Sequence, residues 1–157
     1  MATTLATKRL SKELAKITDI MPDGLTLVSA TDFTSWTIDL TVLDANPLYL
    51  NQTFRLKFLF SDKYPMEPPE VVFVSLHEPP RPIPMHPHIY SNGIICLDLL
   101  GQNGWSPVQN VQSICVSLQS MLTGNSKNER PEGDTAFVAT NRQRPRDINF
   151  YYHDDKV

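Results

Sequence analysis

Cys96 is placed to present a thiol. It lies in His86-Pro-His-Ile-Tyr-Ser-Asn-Gly-Ile-Ile-Cys-Leu-Asp-Leu-Leu100, three residues beyond the Asn92-Gly93 turn and eight beyond His88. A proline bend, a tight turn and a short apolar run would hold one sulfur in place, as nucleophilic cysteine chemistry requires. A free thiol has a pKa of about 8.5, so a few per cent is thiolate at neutral pH, enough to attack without a dedicated base. The local pattern fits a buried strand cysteine equally well. The second cysteine, Cys115, falls on the apolar stripe of a helical segment and reads as core. His77, His86, His88 and Cys96 are the residues that could ligate a metal. Their spacing lacks a second cysteine pair or a His-x3-5-His step, and the two histidines flanking Pro87 are expected to point apart, so no metal site is expected. No Ser-His-Asp order, Gly-rich phosphate loop or pair of glutamates suggests another chemistry.

The elements that must position this thiol can be read from pattern. A chain of 157 residues fits one domain, 1–157, with a core of its own. Two cysteines are too few for a disulfide framework. Leu5, Leu10, Leu14 and Ile17 are separated by lysines and polar residues, so the start is neither a secretory segment nor a membrane span. A reducing compartment, cytoplasmic or nuclear, is expected. A net charge of -3 argues against a nucleic-acid binder. Thr3 or Thr4 can cap a first helix whose inner face is Leu10, Leu14 and Ile17. Its outer face carries Lys8, Arg9, Lys12, Glu13 and Lys16, expected to be solvated with Arg9–Glu13 and Glu13–Lys16 pairs.

Strands are expected at Leu25–Ser29, Trp36–Val42, Phe54–Phe60 and Val71–Val74, an antiparallel meander broken at Asn46-Pro47. From Tyr64 to Pro87 the prolines at 65, 68, 69, 79, 80, 82, 84 and 87 exclude a helix and leave stiff, extended chain. Ser106-Pro107 is expected to open a late helix with Val111, Ile114, Cys115, Leu118, Met121 and Leu122 on one face, ended by Gly124-Asn125. Ala136–Ala139 suits a short helix. The aromatic end, Phe150 to Asp155, either docks or stays mobile.

Four stretches, in order, resemble the ubiquitin-conjugating enzymes over nearly the whole chain. They are Lys8-Arg-Leu-Ser-Lys-Glu-Leu14, Tyr64-Pro-Met-Glu-Pro-Pro-Glu-Val71, His86-Pro-His-Ile-Tyr-Ser-Asn-Gly-Ile-Ile-Cys-Leu97 and Trp105-Ser-Pro107. Within the family the likeness is greatest to the W type, which also has His-Pro-His where most relatives have His-Pro-Asn. Its ending resembles Tyr151-Tyr-His-Asp-Asp155. The resemblance implies an α+β ubiquitin-conjugating fold: an N-terminal helix, a four-stranded antiparallel meander, a crossover helix and a shortened C-terminal region, mobile from about residue 141. The Ser75–Met85 connection is longer than the family's usual link and would be a stiff surface excursion. Tyr64-Pro65 matches a bond often cis in relatives.

The same resemblance implies that Cys96 accepts ubiquitin as a thioester from an activating enzyme and passes it to an amine. The activating enzyme consumes the ATP, and no cofactor or metal is needed here. His88 would stabilise the oxyanion or brace the loop. Counting from Trp-Ser-Pro puts Glu129 near the family's acidic residue, with Asp98 as the alternative. Lys8, Arg9 and Lys12 match contacts to the activating enzyme and the ligase. Met66, Ser106, Pro107 and Val108 match the platform for RING or U-box ligases. The W-type likeness implies substrates with flexible N-termini, whose α-amine (pKa about 7.7–8.0) is on the order of a hundredfold more deprotonated at neutral pH than lysine (about 10.4). Two rivals share the fold: a non-catalytic ubiquitin-binding or ligase-adaptor variant, and a conjugating enzyme for another ubiquitin-like modifier.

Overall fold

Thr4 begins the first helix, α1 (Leu5–Asp19), by accepting the Thr7 amide at 3.0 Å, in a computed structural model that describes residues 4–148 and residue 150. Thr3, the alternative cap, lies outside the described residues. Leu10 and Ile17 are buried and Leu14 is half-buried, as the periodicity requires. Glu13 departs from expectation. It is buried, and of its two expected partners only Arg9 is bonded, at 3.0 Å. Glu13 turns inward because unpaired donors wait there, as described below.

The strands are β1 (Leu25–Ser29), β2 (Ser35–Leu40), β3 (Phe54–Leu59) and β4 (Glu70–Val74), an antiparallel sheet in sequence order. Trp36, Ile38 and Leu40 share one face with Phe54, Leu56, Phe58, Val71 and Phe73, all buried. β2 stops at Leu40, two residues earlier than expected, as the chain leaves the sheet toward Asn46. The Asn46 Nδ2 donates to the carbonyls of Leu122, Thr123 and Asn125 at and just past the end of the second helix, where carbonyls lose their intrahelical donors. That side chain fixes where the sheet hands the chain over.

The second helix, α2 (Val111–Thr123), packs Ile114, Cys115, Leu118 and Leu122 into the core that α1 and the sheet share. Its start differs from the sequence expectation. Asn110 caps it, with Ser113 returning the bond as a capping box, while Ser106 and Pro107 form a separate turn closed by the Gln109 amide on the Ser106 carbonyl at 2.9 Å. Asn and Ser are both strong caps, and only Asn110 lies at the start of the apolar stripe. A short third helix, α3 (Asp134–Thr140), is longer than the expected Ala136–Ala139. A 3-10 turn at Pro145–Asp147 follows, with Arg146 buried and donating to the Pro68 carbonyl at 3.4 Å, and with Ile148 buried beside it. Residues 151–157, the aromatic and acidic end, lie outside the described residues.

The Ser75–Met85 connection is fastened at both levels. Leu76 and Arg81 exchange backbone hydrogen bonds of 2.9 and 3.0 Å across its tip, where Glu78-Pro79 is cis, as is Tyr64-Pro65. Arg81 then reaches the outer sheet face, meeting Asp39 at 2.9 Å while Arg55 meets the other oxygen at 2.8 Å. Burial alone would raise the Asp39 pKa; the hydrogen bonds and charges of the two arginines outweigh it and hold the carboxyl below its ordinary value. Among the described residues no helix is long and apolar enough to cross a membrane.

Candidate active site

The cysteine turn is built against β4. Gly93 adopts a φ of +93° and passes so close to the sheet that a Cβ would run into the Phe73 carbonyl, so only glycine fits. Its carbonyl accepts the Phe73 amide at 3.0 Å, and Val72 bridges Ile94. The chain then returns alongside the His-Pro-His segment. The Cys96 amide donates to the His88 carbonyl at 2.7 Å, and His88 Nδ1 lies 3.3 Å from the Cys96 carbonyl oxygen. A carbonyl only accepts, so Nδ1 carries the proton in this contact. Histidine and cysteine therefore hold each other through backbone on both sides.

His86 is the inner half of the pair. Its Nδ1 accepts the His88 amide at 2.9 Å, and a further bond joins the ring to the Met121 backbone in α2. Burial, with the neighbouring His88 charge, lowers its pKa to about 4. The two imidazoles do not point apart as the proline between them suggested; their centroids are 5.6 Å apart. The amide-to-ring bond folds His86 back over the next residue. Among the described residues no group of three or more His, Cys, Asp or Glu is placed to share a metal ion.

The two thiols differ in access. Cys115 is fully buried and Cys96 half-buried. Burial pushes Cys96 up to about 11 and Cys115 up to about 12. Cys96 is therefore not a ready thiolate. Its ionised fraction at neutral pH lies well below the few per cent expected of a free thiol.

The acidic candidates are sorted by the fold. Glu129 is exposed on the loop after α2. Asp98 is exposed too; it opens the 3-10 turn Asp98–Leu100, packed so tightly against Gly104 that a Cβ there would meet its carboxyl carbon. The acid brought to the cysteine turn is Asp134, at the start of α3, whose Oδ1 accepts the Ser91 amide at 2.8 Å. Tyr90 joins them. Burial first, then Cys96 and Asp134, raise its phenol above the ordinary pKa, and its ring stacks on Phe137 with centroids 3.9 Å apart. Neither Tyr90 nor Asp134 was singled out from sequence. The signal available was Tyr90 beside the Asn-Gly turn, paired with a helix that starts on an acid.

The contact residues form a second cluster. Met66, Pro107 and Val108 are exposed, Val108 at 82%, as are Lys8 and Lys12, while Ser106 is half-buried. Arg9 is not free in this way. Its Nη2 donates to the carbonyls of Pro107 (2.9 Å) and Gln109 (2.8 Å), and its guanidinium lies over the Tyr64 ring. Beneath it Glu13 accepts from the Tyr64 hydroxyl (2.6 Å) and the Val111 amide (2.8 Å). Trp105 completes the cluster with a 2.8 Å bond from its indole N–H to the Pro65 carbonyl. Arg9 thus holds the loop whose tip is Pro107 and Val108.

A family model described as "Ubiquitin-conjugating enzyme" matches residues 9–149. The chain is 41% identical over 155 residues to ubiquitin-conjugating enzyme 15 of Arabidopsis thaliana, covering 98% of this chain and 91% of that protein. It is 39% identical over 155 residues to ubiquitin-conjugating enzyme E2 W of Caenorhabditis elegans, covering 97% of each. The crystal structure of ubiquitin-conjugating enzyme E2 UbcA1 from Agrocybe aegerita superposes with a TM-score of 0.84 at 40% identity, covering 91% of this chain and 99% of that one.

Proposed function

This chain belongs to the ubiquitin-conjugating enzyme family, which transfers ubiquitin through a cysteine thioester, and from that premise we propose that Cys96 is the sulfur that carries it. The observation behind this reading is the contrast between the thiols, one sealed in the core and the other half-exposed in a fixed backbone frame. In charging, the Cys96 proton goes to solvent and Sγ attacks the thioester carbonyl on the activating enzyme. A new C–S bond forms and the activating enzyme's thiolate leaves. In discharge an amine nitrogen attacks the same carbon, the Cys96 thiolate leaves, and the amine proton goes to solvent. A thiol raised by burial is also a poorer leaving group, so ubiquitin is retained until an amine is held in position.

His88 acts as a brace in this reading. With Nδ1–H committed to the Cys96 carbonyl, that proton is not free to serve an oxyanion. The acid bonded to the turn in this reading is Asp134, through the Ser91 amide, in place of Glu129 or Asp98. Lys8, Lys12, Met66, Pro107 and Val108 form the partner surface for the activating enzyme and RING or U-box ligases, with Arg9 and Ser106 supporting it. The acceptor is the α-amine of a substrate with a flexible N-terminus, in line with the likeness to the W type and the higher deprotonated fraction of an α-amine. Unpaired thiols suit a reducing cytoplasm or nucleus.

Incubation with activating enzyme, ATP and ubiquitin, followed by a non-reducing gel, tests the first step. A thiol-sensitive adduct is expected, absent from Cys96→Ala and replaced by a thiol-resistant ester in Cys96→Ser. No adduct with ubiquitin or any related modifier would leave a non-catalytic binding module. Transfer to a peptide is expected to stop when its N-terminus is acetylated; unchanged transfer, or equally fast discharge by free lysine, sinks the α-amine reading.

A further inference from the structure

The chain before the cysteine turn has an unusual imbalance. Pro79, Pro80, Pro82, Pro84 and Pro87 keep their carbonyls but have no N–H, so the stretch is rich in acceptors and poor in donors. It cannot satisfy itself by pairing with a strand. Beyond backbone bonds at Arg81 and His86, its carbonyls take their donors from side chains. The Tyr49 hydroxyl donates to the Met85 carbonyl at 2.7 Å, and Asn125 Nδ2 donates to that Tyr49 oxygen at 2.7 Å.

Arg130 supplies three more donors. Its Nη1 donates to the carbonyls of Pro84 (2.6 Å) and Ile89 (3.1 Å), and its Nη2 to the carbonyl of Ile83 (3.1 Å). A guanidinium has donors only, in a planar fork, which makes it the chemical complement of a donor-poor segment. The third carbonyl is the informative one. Ile89 follows His88 directly, its own amide bonds the His86 carbonyl at 3.1 Å, and its side chain is fully buried. One side chain from the loop after α2 therefore ties the entry to the His-Pro-His turn, at 83 and 84, to its exit at 89. Asp134 continues the same grip with its bond to the Ser91 amide.

We propose that Arg130 is a positioning residue for discharge of the thioester, holding residues 83–89 so that the His88 brace keeps Cys96, and the carbonyl it carries, aligned for the incoming amine. This rests on the reading of Cys96 as the ubiquitin carrier. A lysine could not replace Arg130, because one ammonium group cannot span the three carbonyls the fork reaches.

The test uses purified ubiquitin thioester of the full chain, so that charging does not enter the measurement, and follows single-turnover transfer to an N-terminally free peptide. Arg130→Ala is expected to lower the saturating rate roughly tenfold or more, the scale on which small misalignments act, with the peptide concentration for half-saturation unchanged. Arg130→Lys is expected to behave like Arg130→Ala, and also serves if the alanine variant fails to fold. Millimolar guanidinium ion is expected to restore part of the Arg130→Ala rate, whereas ammonium at equal ionic strength is not. Full activity in Arg130→Lys, equal rescue by both ions, or a loss confined to half-saturation would overturn the proposal. Absence of any thioester on the unaltered chain would instead fail the Cys96 reading at the earlier, charging stage, and the proposal with it.

Discussion

The partner platform and the cysteine turn solve opposite versions of one problem. At the platform the surplus is of donors: the Tyr64 hydroxyl, the first amide of α2 at Val111 and the Arg9 guanidinium. Glu13 gathers all three. At the cysteine turn the surplus is of carbonyls, left by the prolines, and Arg130 gathers three of those. The sign of the charge at each place follows from the backbone around it. Where a helix begins, its free amides and its dipole ask for an anion; where prolines have removed donors, the carbonyls ask for a cation. The two regions also differ toward acid, because the cysteine turn holds a buried neutral imidazole.

Removing the anion is the harshest way to break this comparison. Glu13→Ala leaves three donors facing one another without their acceptor and is expected to cost about 3–5 kcal/mol, the scale for breaking a buried charged pair. Urea unfolding measures it, and a loss below about 1 kcal/mol would mean that Glu13 behaves as an ordinary surface acid. The acid side of the comparison comes next. His86 titrates at about 4 in the fold against 6.5 for the ordinary group. Between these values the unfolded chain binds a proton that the fold refuses. Stability therefore falls as pH drops from 6.5 toward 4, by about 3 kcal/mol in total, and is untouched above that window. His86→Gln is expected to remove this slope; the same slope in the variant would assign it elsewhere. The smallest effect concerns the sulfur. Arg130 faces carbonyls and leaves the thiol to burial alone, so Cys96 sits at about 11 against an ordinary 9.0. Its thiolate is on the order of a hundredfold scarcer than that of an unburied thiol. Alkylation by iodoacetamide should rise tenfold per pH unit from about pH 7 to 10; a plateau near 9 would show that a nearby cation does act on the sulfur.

Much of the framework was legible because it rests on local periodicity. Alternation marked Trp36, Ile38 and Leu40, and the stripe from Val111 to Leu122 separated Cys115 from Cys96. The roles of Glu13 and Arg130 were not legible, for different reasons. Glu13 stands on the lysine-rich side of α1, and its partners Tyr64 and Val111 are 51 and 98 residues away. Arg130 bonds backbone oxygens, which have no identity in a sequence. A clue was present in the proline count itself, since five prolines from 79 to 87 announce missing donors. The start of α2 was misread because Ser106-Pro107 offers a good local start four residues before the one the stripe needs. The thiol's high pKa could not be read, because it depends on the enclosure around Cys96 and not on its neighbours in sequence.

The sealing of Cys115 gives the chain a built-in clock. Its sulfur has no surface in the folded state, so a thiol reagent counts one site on the native molecule and two once the core opens. The mass of the labelled protein then reports how often the core around α2 comes apart under native conditions. Cys96 serves as the internal standard for the reagent, and the opening free energy is read without denaturant.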